Sequence, residues 1–285
     1  MLILMLWIVA GIVAGLLVGS GVLHVISRNP DNGLSRWSSR GLGLDGWICF
    51  FCVGPYVAAG VALGTAPAGE GWSAWLKVLF TVGLAMVSQA VALALWIQLH
   101  ELRFRKYVKG PRLVTQINKS VGTVRNHAAV WWTALAVPLF VLVRLAEYVV
   151  YPPLTWIVHL PKYDDREWVS VSRHKFEGLV GHDLIWCLYC DWMTGVWSLG
   201  SEMLRNIESF WCPIRFSHAE KCENCRVDFP DVDGGWVPAH ATMQELADVH
   251  AEHYPGPDGV NGWFDHPVRL TSEGEAIEEK GNPDR

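Results

Sequence analysis

Two cysteine pairs share one spacing. Cys187-Leu-Tyr-Cys190 and Cys222-Glu-Asn-Cys225 are separated by 31 residues, and Cys212 lies between them. A C-x2-C turn aims two thiolates at one point, and two such turns complete a tetrahedral zinc site. Cys187, Cys190, Cys222 and Cys225 are therefore the expected metal ligands. A second set is more local. Cys212, His218, Cys222 and Cys225 would give three thiolates and one imidazole without bringing distant segments together. A third pair, Cys49-Phe-Phe-Cys52, sits in an apolar stretch. There the thiols are expected to pack as small apolar side chains, with quinone-linked disulfide chemistry as the alternative.

The two pairs of the C-terminal half resemble rubredoxin knuckles in spacing alone. Asp191 and Arg226 stand where that family carries Gly, so zinc is the expected ion and iron the minority alternative. Between the pairs, Trp192, Val196, Leu199, Met203, Ile207 and Phe210 recur at helical spacing. Asp191 is the expected N-cap, and Thr194, Ser198, Glu202, Arg205 and Glu208 the opposite face. About 19 residues make roughly 28 Å of helix. Residues 212–221, at most about 33 Å when extended, must return the chain if all four paired cysteines share one ion. His174, His182 and Asp183 precede the first pair as possible orienting groups. His250, His253 and His266 fall in Pro- and Gly-rich sequence that reads as loop.

These groups hang from a strongly apolar chain. Leu2 to Ile26 carries no Lys, Arg, Asp or Glu, and about 20 apolar residues suffice to cross a bilayer. Three more spans are expected at about Leu44–Ala66, Ser73–Leu99 and Ala128–Trp156. All must be helical, because a lone strand leaves its backbone polar groups unsatisfied in lipid. Trp47, Trp72, Trp75, Trp96, Trp131, Trp132 and Trp156 mark their ends, where indoles favour the headgroup level. Pro138 is expected to kink the fourth span, and Pro152 and Pro153 to end its regular part. Arg28, Arg36 and Arg40 lie in the first loop, and Arg103, Arg105, Lys106, Lys109, Arg112, Lys119 and Arg125 in the third. Positive-inside reasoning puts both loops in the cytoplasm. Four spans then put the C-terminal part outside, although Lys162, Arg166, Arg173 and Lys175 argue the other way.

Inside the spans, Gly11, Gly15 and Gly19 form a small-residue ridge that suits close helix packing, in the chain's own bundle or against another subunit. Arg144 and Glu147, at i, i+3, are expected to pair with each other. A proton path would need more polar groups in line, and Ser88 and Gln89 are the obvious ones.

The chain holds 51% hydrophobic and 18% charged residues, with 16 Trp in 285. A soluble domain carries about 25% charged residues. Residues 1–159 hold 12 Lys/Arg and 5 Asp/Glu, a net of +7, whereas residues 160–285 hold 11 and 23, a net of −12. The expected fold is mainly α: about four transmembrane helices (1–159), then a small Cys- and Trp-rich, zinc-ribbon-like domain (160–270) and an acidic tail (271–285). Nucleic acid is disfavoured, since the dense basic cluster lies between two apolar spans. No nucleophile, phosphate-loop or dinucleotide motif is present. The resulting expectation is a non-catalytic accessory subunit of a larger membrane complex. It would contact lipid, and other subunits through Gly11, Gly15, Gly19 and the Trp-rich domain. The alternative is a membrane thiol-disulfide or electron-transfer protein using the C-x2-C pairs.

Overall fold

A computed structural model describes residues 2–27, 32–65, 71–107, 110–171, 181–211, 237–238 and 240–254. Among these residues the chain is helical, with an isolated antiparallel bridge between Arg40 and Ser170 and no strand. It divides into two compact units, residues 1–137 with 169–195 and residues 138–168 with 196–285.

The first unit is built on α1 (Leu2–Ile26), α3 (Gly41–Cys52), α4 (Gly54–Thr65) and α5 (Ala74–Arg103), with a short α2 (Gly33–Ser38) before α3. The apolar run of α1 is one uninterrupted helix with the ends expected from sequence. Its Ile8, Ile12, Val13 and Leu16 pack with Ala59 and Leu63 of α4 and Leu84, Ala85 and Ala92 of α5. Ala59 and Ala85 are fully buried. Small side chains at the crossings let these helices approach closely, the usual solution where lipid removes the solvophobic drive. Ser73 caps α5, its Oγ accepting from Leu76 N at 3.4 Å.

The second expected span is a bent pair. α3 and α4 meet at Val53 with a 46° bend, and Pro55 is the cause: it has no N–H to give to the carbonyl of Phe51. Gln89 on α5 supplies the missing donor, its Nε2 reaching Phe51 O at 2.9 Å and Cys52 O at 3.4 Å. Gln89→Leu is therefore expected to destabilise the fold by about 1–3 kcal/mol, the cost of a buried carbonyl left without its donor. Adding Pro55→Ala, which restores a backbone N–H, is expected to recover most of the loss. Detergent-micelle unfolding curves of the single and double variants check this, and equal curves for both would remove Gln89 from the role.

Three helices are long and apolar enough to cross a membrane, or four when the bent pair counts as one span. The last of them, Thr123–Ile157, is segmented into α7 (Thr123–Ala134), α8 (Val137–Val149) and α9 (Tyr151–Ile157), after a short α6 (Leu113–Val121). Its breaks precede Pro138 and the Pro152-Pro153 pair. Pro152 and Pro153 open α9 rather than ending the regular part of the span, because Pro is tolerated in a first turn whose N–H groups have no helical partner. Of the Trp residues expected to mark the span ends, Trp75, Trp131, Trp132 and Trp156 are exposed, whereas Trp47, Trp72 and Trp96 are half-buried.

Beyond α10 (Asp165–Trp168), a 31-residue helix, α11 (Gly181–Trp211), contributes to both units. The last described helix, α12 (Met243–His253), starts with a capping box between Thr242 and Glu245.

Candidate functional site

The first cysteine pair does not form a turn. Cys187 and Cys190 lie inside α11, one helical turn apart, with Cys187 half-buried and Cys190 exposed. The helix begins ten residues earlier than the expected N-cap, Asp191, which is a buried residue in mid-helix. A helical i, i+3 pair still offers two sulfurs from one face. Cys212, His218, Cys222 and Cys225 lie outside the described residues, as do His174 and His266. No group of three His, Cys, Asp or Glu able to hold a metal occurs among the described residues.

The buried face of α11 departs from the expected stripe at its C-terminal end. Trp192, Val196, Leu199 and Met203 are buried, but the next inward positions are Asn206 and Ser209, with Glu202 beside them, rather than Ile207 and Phe210. Polar partners in the second unit explain the change. Asn206 Nδ2 donates to the hydroxyls of Tyr151, at 3.2 Å, and Tyr163. Tyr151 gives its own proton to Pro161 O at 2.8 Å, which fixes the amide nitrogen of Asn206 on the tyrosine side. Glu202 accepts from Arg205 at 2.5 Å.

The same unit holds the charged pair of the last apolar segment. Arg144 Nη1 donates to Glu147 Oε2 at 2.6 Å, and both residues are about 5% exposed or less. A third member was not legible from spacing: Asp165 Oδ2 accepts from Arg144 Nη2 at 2.6 Å and from the Tyr148 hydroxyl at 2.9 Å. Arg144 also lies over the Tyr148 ring. Gly200 allows α11 to approach, since a Cβ there would meet Val143 Cγ1 at 3.0 Å and Glu147 Oε1 at 3.1 Å. Tyr148, Tyr151, Tyr163, Asp165 and Asn206 could have been suspected only from their polarity beside apolar runs.

In the first unit the N-terminal half of α11 is fixed by a separate set of bonds. Asp183 accepts from Leu113 N at 2.8 Å and Val114 N at 3.1 Å, capping α6 from 70 residues away. Trp192 Nε1 donates to Asp45 Oδ1 at 2.8 Å, and both are buried. The structure also brings together histidines that looked scattered: His24 and His100 ring centroids are 5.8 Å apart, those of His127 and His182 6.0 Å. His100 Nδ1 accepts from Gly181 N at 3.1 Å, and His182 Nε2 accepts from Trp186 Nε1 at 2.6 Å. Each neutral ring then carries its proton on the other nitrogen, so neither nitrogen is open to a metal. Burial pushes His182 below the ordinary imidazole value, with Asp183 opposing the shift. Ser88 and Gln89, the polar groups that a proton path would have used, are engaged by backbone carbonyls, Ser88 Oγ donating to Leu84 O at 2.7 Å. His250 stacks on Tyr254 at 4.5 Å. No protein family, curated protein or solved structure matches the chain.

Proposed function

We propose that this chain is a non-catalytic integral membrane subunit that docks in a larger membrane complex. The observation that carries the reading is the outer face of α1. Gly11 and Gly15 are exposed with open space at the Cβ position, while Gly19, against Phe50, is used inside the chain. The chain's own bundle packs on the adjoining stripe of α1, through Ile8, Ile12 and Leu16, and leaves Gly11 and Gly15 uncovered. Glycine in mid-helix costs about 0.5–1 kcal/mol relative to Ala, and lipid alone gives no return for that cost. A second helix does, because two backbones can then approach closely. The polar groups of the apolar helices support the same reading: buried Arg144, Glu147 and Ser88 and half-buried Gln89 are engaged within the fold, as in a scaffold rather than a conduction path.

Purification in mild detergent tests it. Wild type is expected to migrate with other membrane polypeptides, and Gly11→Leu with Gly15→Leu to release them while the melting temperature of the chain stays within a few degrees. A wild-type chain that is monomeric and turns over a substrate would refute the proposal. The zinc site belongs to the proposal as a structural staple held by Cys187, Cys190, Cys222 and Cys225. The purified protein is expected to carry about one zinc per chain, as a single tetrahedral site requires, and Cys222→Ser to lose it. If Cys222→Ser keeps the zinc, the ligand set is wrong.

One feature favours the thiol-disulfide alternative. Cys49 and Cys52 are one turn apart, Cys49 exposed and Cys52 half-buried, with Cys52 the last residue before the Val53 bend. Quinone-dependent oxidation of these two thiols in the purified protein would move the assignment there.

A further inference from the structure

The loop between the second and third long spans is not a passive connector. Residues 103–125 hold seven Lys/Arg and no Asp or Glu. Their only described helix, α6, has no buried residue. Leu113, Ile117 and Val121 recur every four residues and are 54%, 38% and 48% exposed. Thr115 and Lys119 occupy the other side. In water such a stripe would be an apolar liability on a nine-residue helix.

Its placement gives the stripe an occupant. α5 ends at Arg103, and Thr123 begins the next membrane-crossing segment, so α6 is tethered at both ends to the edge of the bilayer. Asp183 holds its first turn, and Asn126 Nδ2 of α7 donates to Asn118 Oδ1 at 2.8 Å. The helix is thus fixed in direction as well as in depth. Around it Arg103, Arg105, Lys106, Lys119 and Arg125 are all exposed, whereas Arg112 is taken by Glu101. Tyr107, under the Lys106 ammonium at 5.0 Å, adds an amphipathic ring at the same level.

We infer that α6 is an in-plane membrane anchor that binds anionic phospholipid. Leu113, Ile117 and Val121 enter the headgroup–acyl boundary, and the surrounding cations gather acidic headgroups. Apolar burial and attraction to anionic lipid are the two forces that hold an amphipathic helix in the interface. A zwitterionic surface would satisfy the stripe but give no counter-charge to Arg103, Arg105, Lys106, Lys119 and Arg125.

The test uses the full chain in bilayers of equal phosphatidylcholine and phosphatidylglycerol, with a photoreactive benzophenone residue in place of Ile117 or, in a second protein, of Thr115. Position 117 is expected to crosslink to lipid, phosphatidylglycerol adducts exceeding phosphatidylcholine adducts, and position 115 to give few lipid adducts. Replacing Arg105, Lys106 and Lys119 by Gln is expected to cut the phosphatidylglycerol excess by about tenfold or more, since each cation near the surface contributes about fivefold. Melting temperature checks that these variants fold. Crosslinks from position 117 to polypeptide would overturn the inference, as would equal lipid labelling from both positions. An anionic excess that survives the triple substitution would remove the cations from it.

Discussion

Replacing Arg144 by Met is expected to cost about 3–5 kcal/mol of stability, the range for breaking a buried ion pair from one side. The guanidinium is the centre of its cluster. It reaches Glu147 Oε2 and Asp165 Oδ2, both at 2.6 Å, and bonds the Tyr148 hydroxyl. Its removal leaves Glu147, 5% exposed, as a carboxylate without this partner in an apolar helix. Asp165, whose side chain is 29% exposed, can recover water. The loss should therefore be concentrated on Glu147, and Arg144→Met with Glu147→Leu should restore most of it. Reversible unfolding in mixed micelles measures both, through a double-mutant cycle with coupling of about 1–3 kcal/mol. Single and double variants that fall equally would show that the pair does not act as a unit. Asp165→Asn should cost less than Glu147→Gln, because its oxygen keeps access to solvent.

The same contrast between local and distant contacts explains how much could be read in advance. The limits of α1 follow from an unbroken absence of charge, and Ser73 announces the start of α5 because a cap is a three-residue signal. The Arg144–Glu147 pair is also local, fixed by helical spacing. Asp165 joins it from 21 residues away, which no periodicity encodes. Within α11, the stripe from Trp192 to Met203 was legible because those inward positions are themselves apolar. Beyond it the inward positions are Asn206 and Ser209, which only the tyrosine hydroxyls of another segment make sense of. Asp191 looked like a helix start since Asp caps helices well and C-x2-C suggests a turn. The helix instead opens at Gly181, in the left-handed region at φ 56°, where a Cβ would meet Glu101 Oε1 at 2.8 Å. Asp183 meanwhile caps another helix altogether. The apolar run alone makes the second span a single helix, with no weight given to Pro55, and the donation from Gln89 that answers the bend needed the tertiary contact.

Trp192→Ala is expected to cost about 3–5 kcal/mol, the range for deleting a large core aromatic. Its side chain is 1% exposed and is the largest fully buried one in the described chain. Two contributions can be separated. The ring fills the space between α11 and α3, while its Nε1 donates at 2.8 Å to Asp45, an acid only 8% exposed on an otherwise apolar helix. Trp192→Phe keeps most of the ring and removes the donor, so its cost should be about 1–3 kcal/mol, that of a hydrogen bond lost to a charged group. Adding Asp45→Leu to Trp192→Phe should then recover part of the loss, whereas adding it to wild type removes the acceptor and destabilises. Because Trp192 lies two residues past Cys190, its loss also loosens the turn of α11 that carries both thiols. Alkylation of half-buried Cys187 should accelerate in Trp192→Ala, since local opening precedes reaction there, and change little in Trp192→Phe. If Trp192→Phe is as damaging as Trp192→Ala, the bond to Asp45 outweighs the packing and the ordering argued for this helix is reversed.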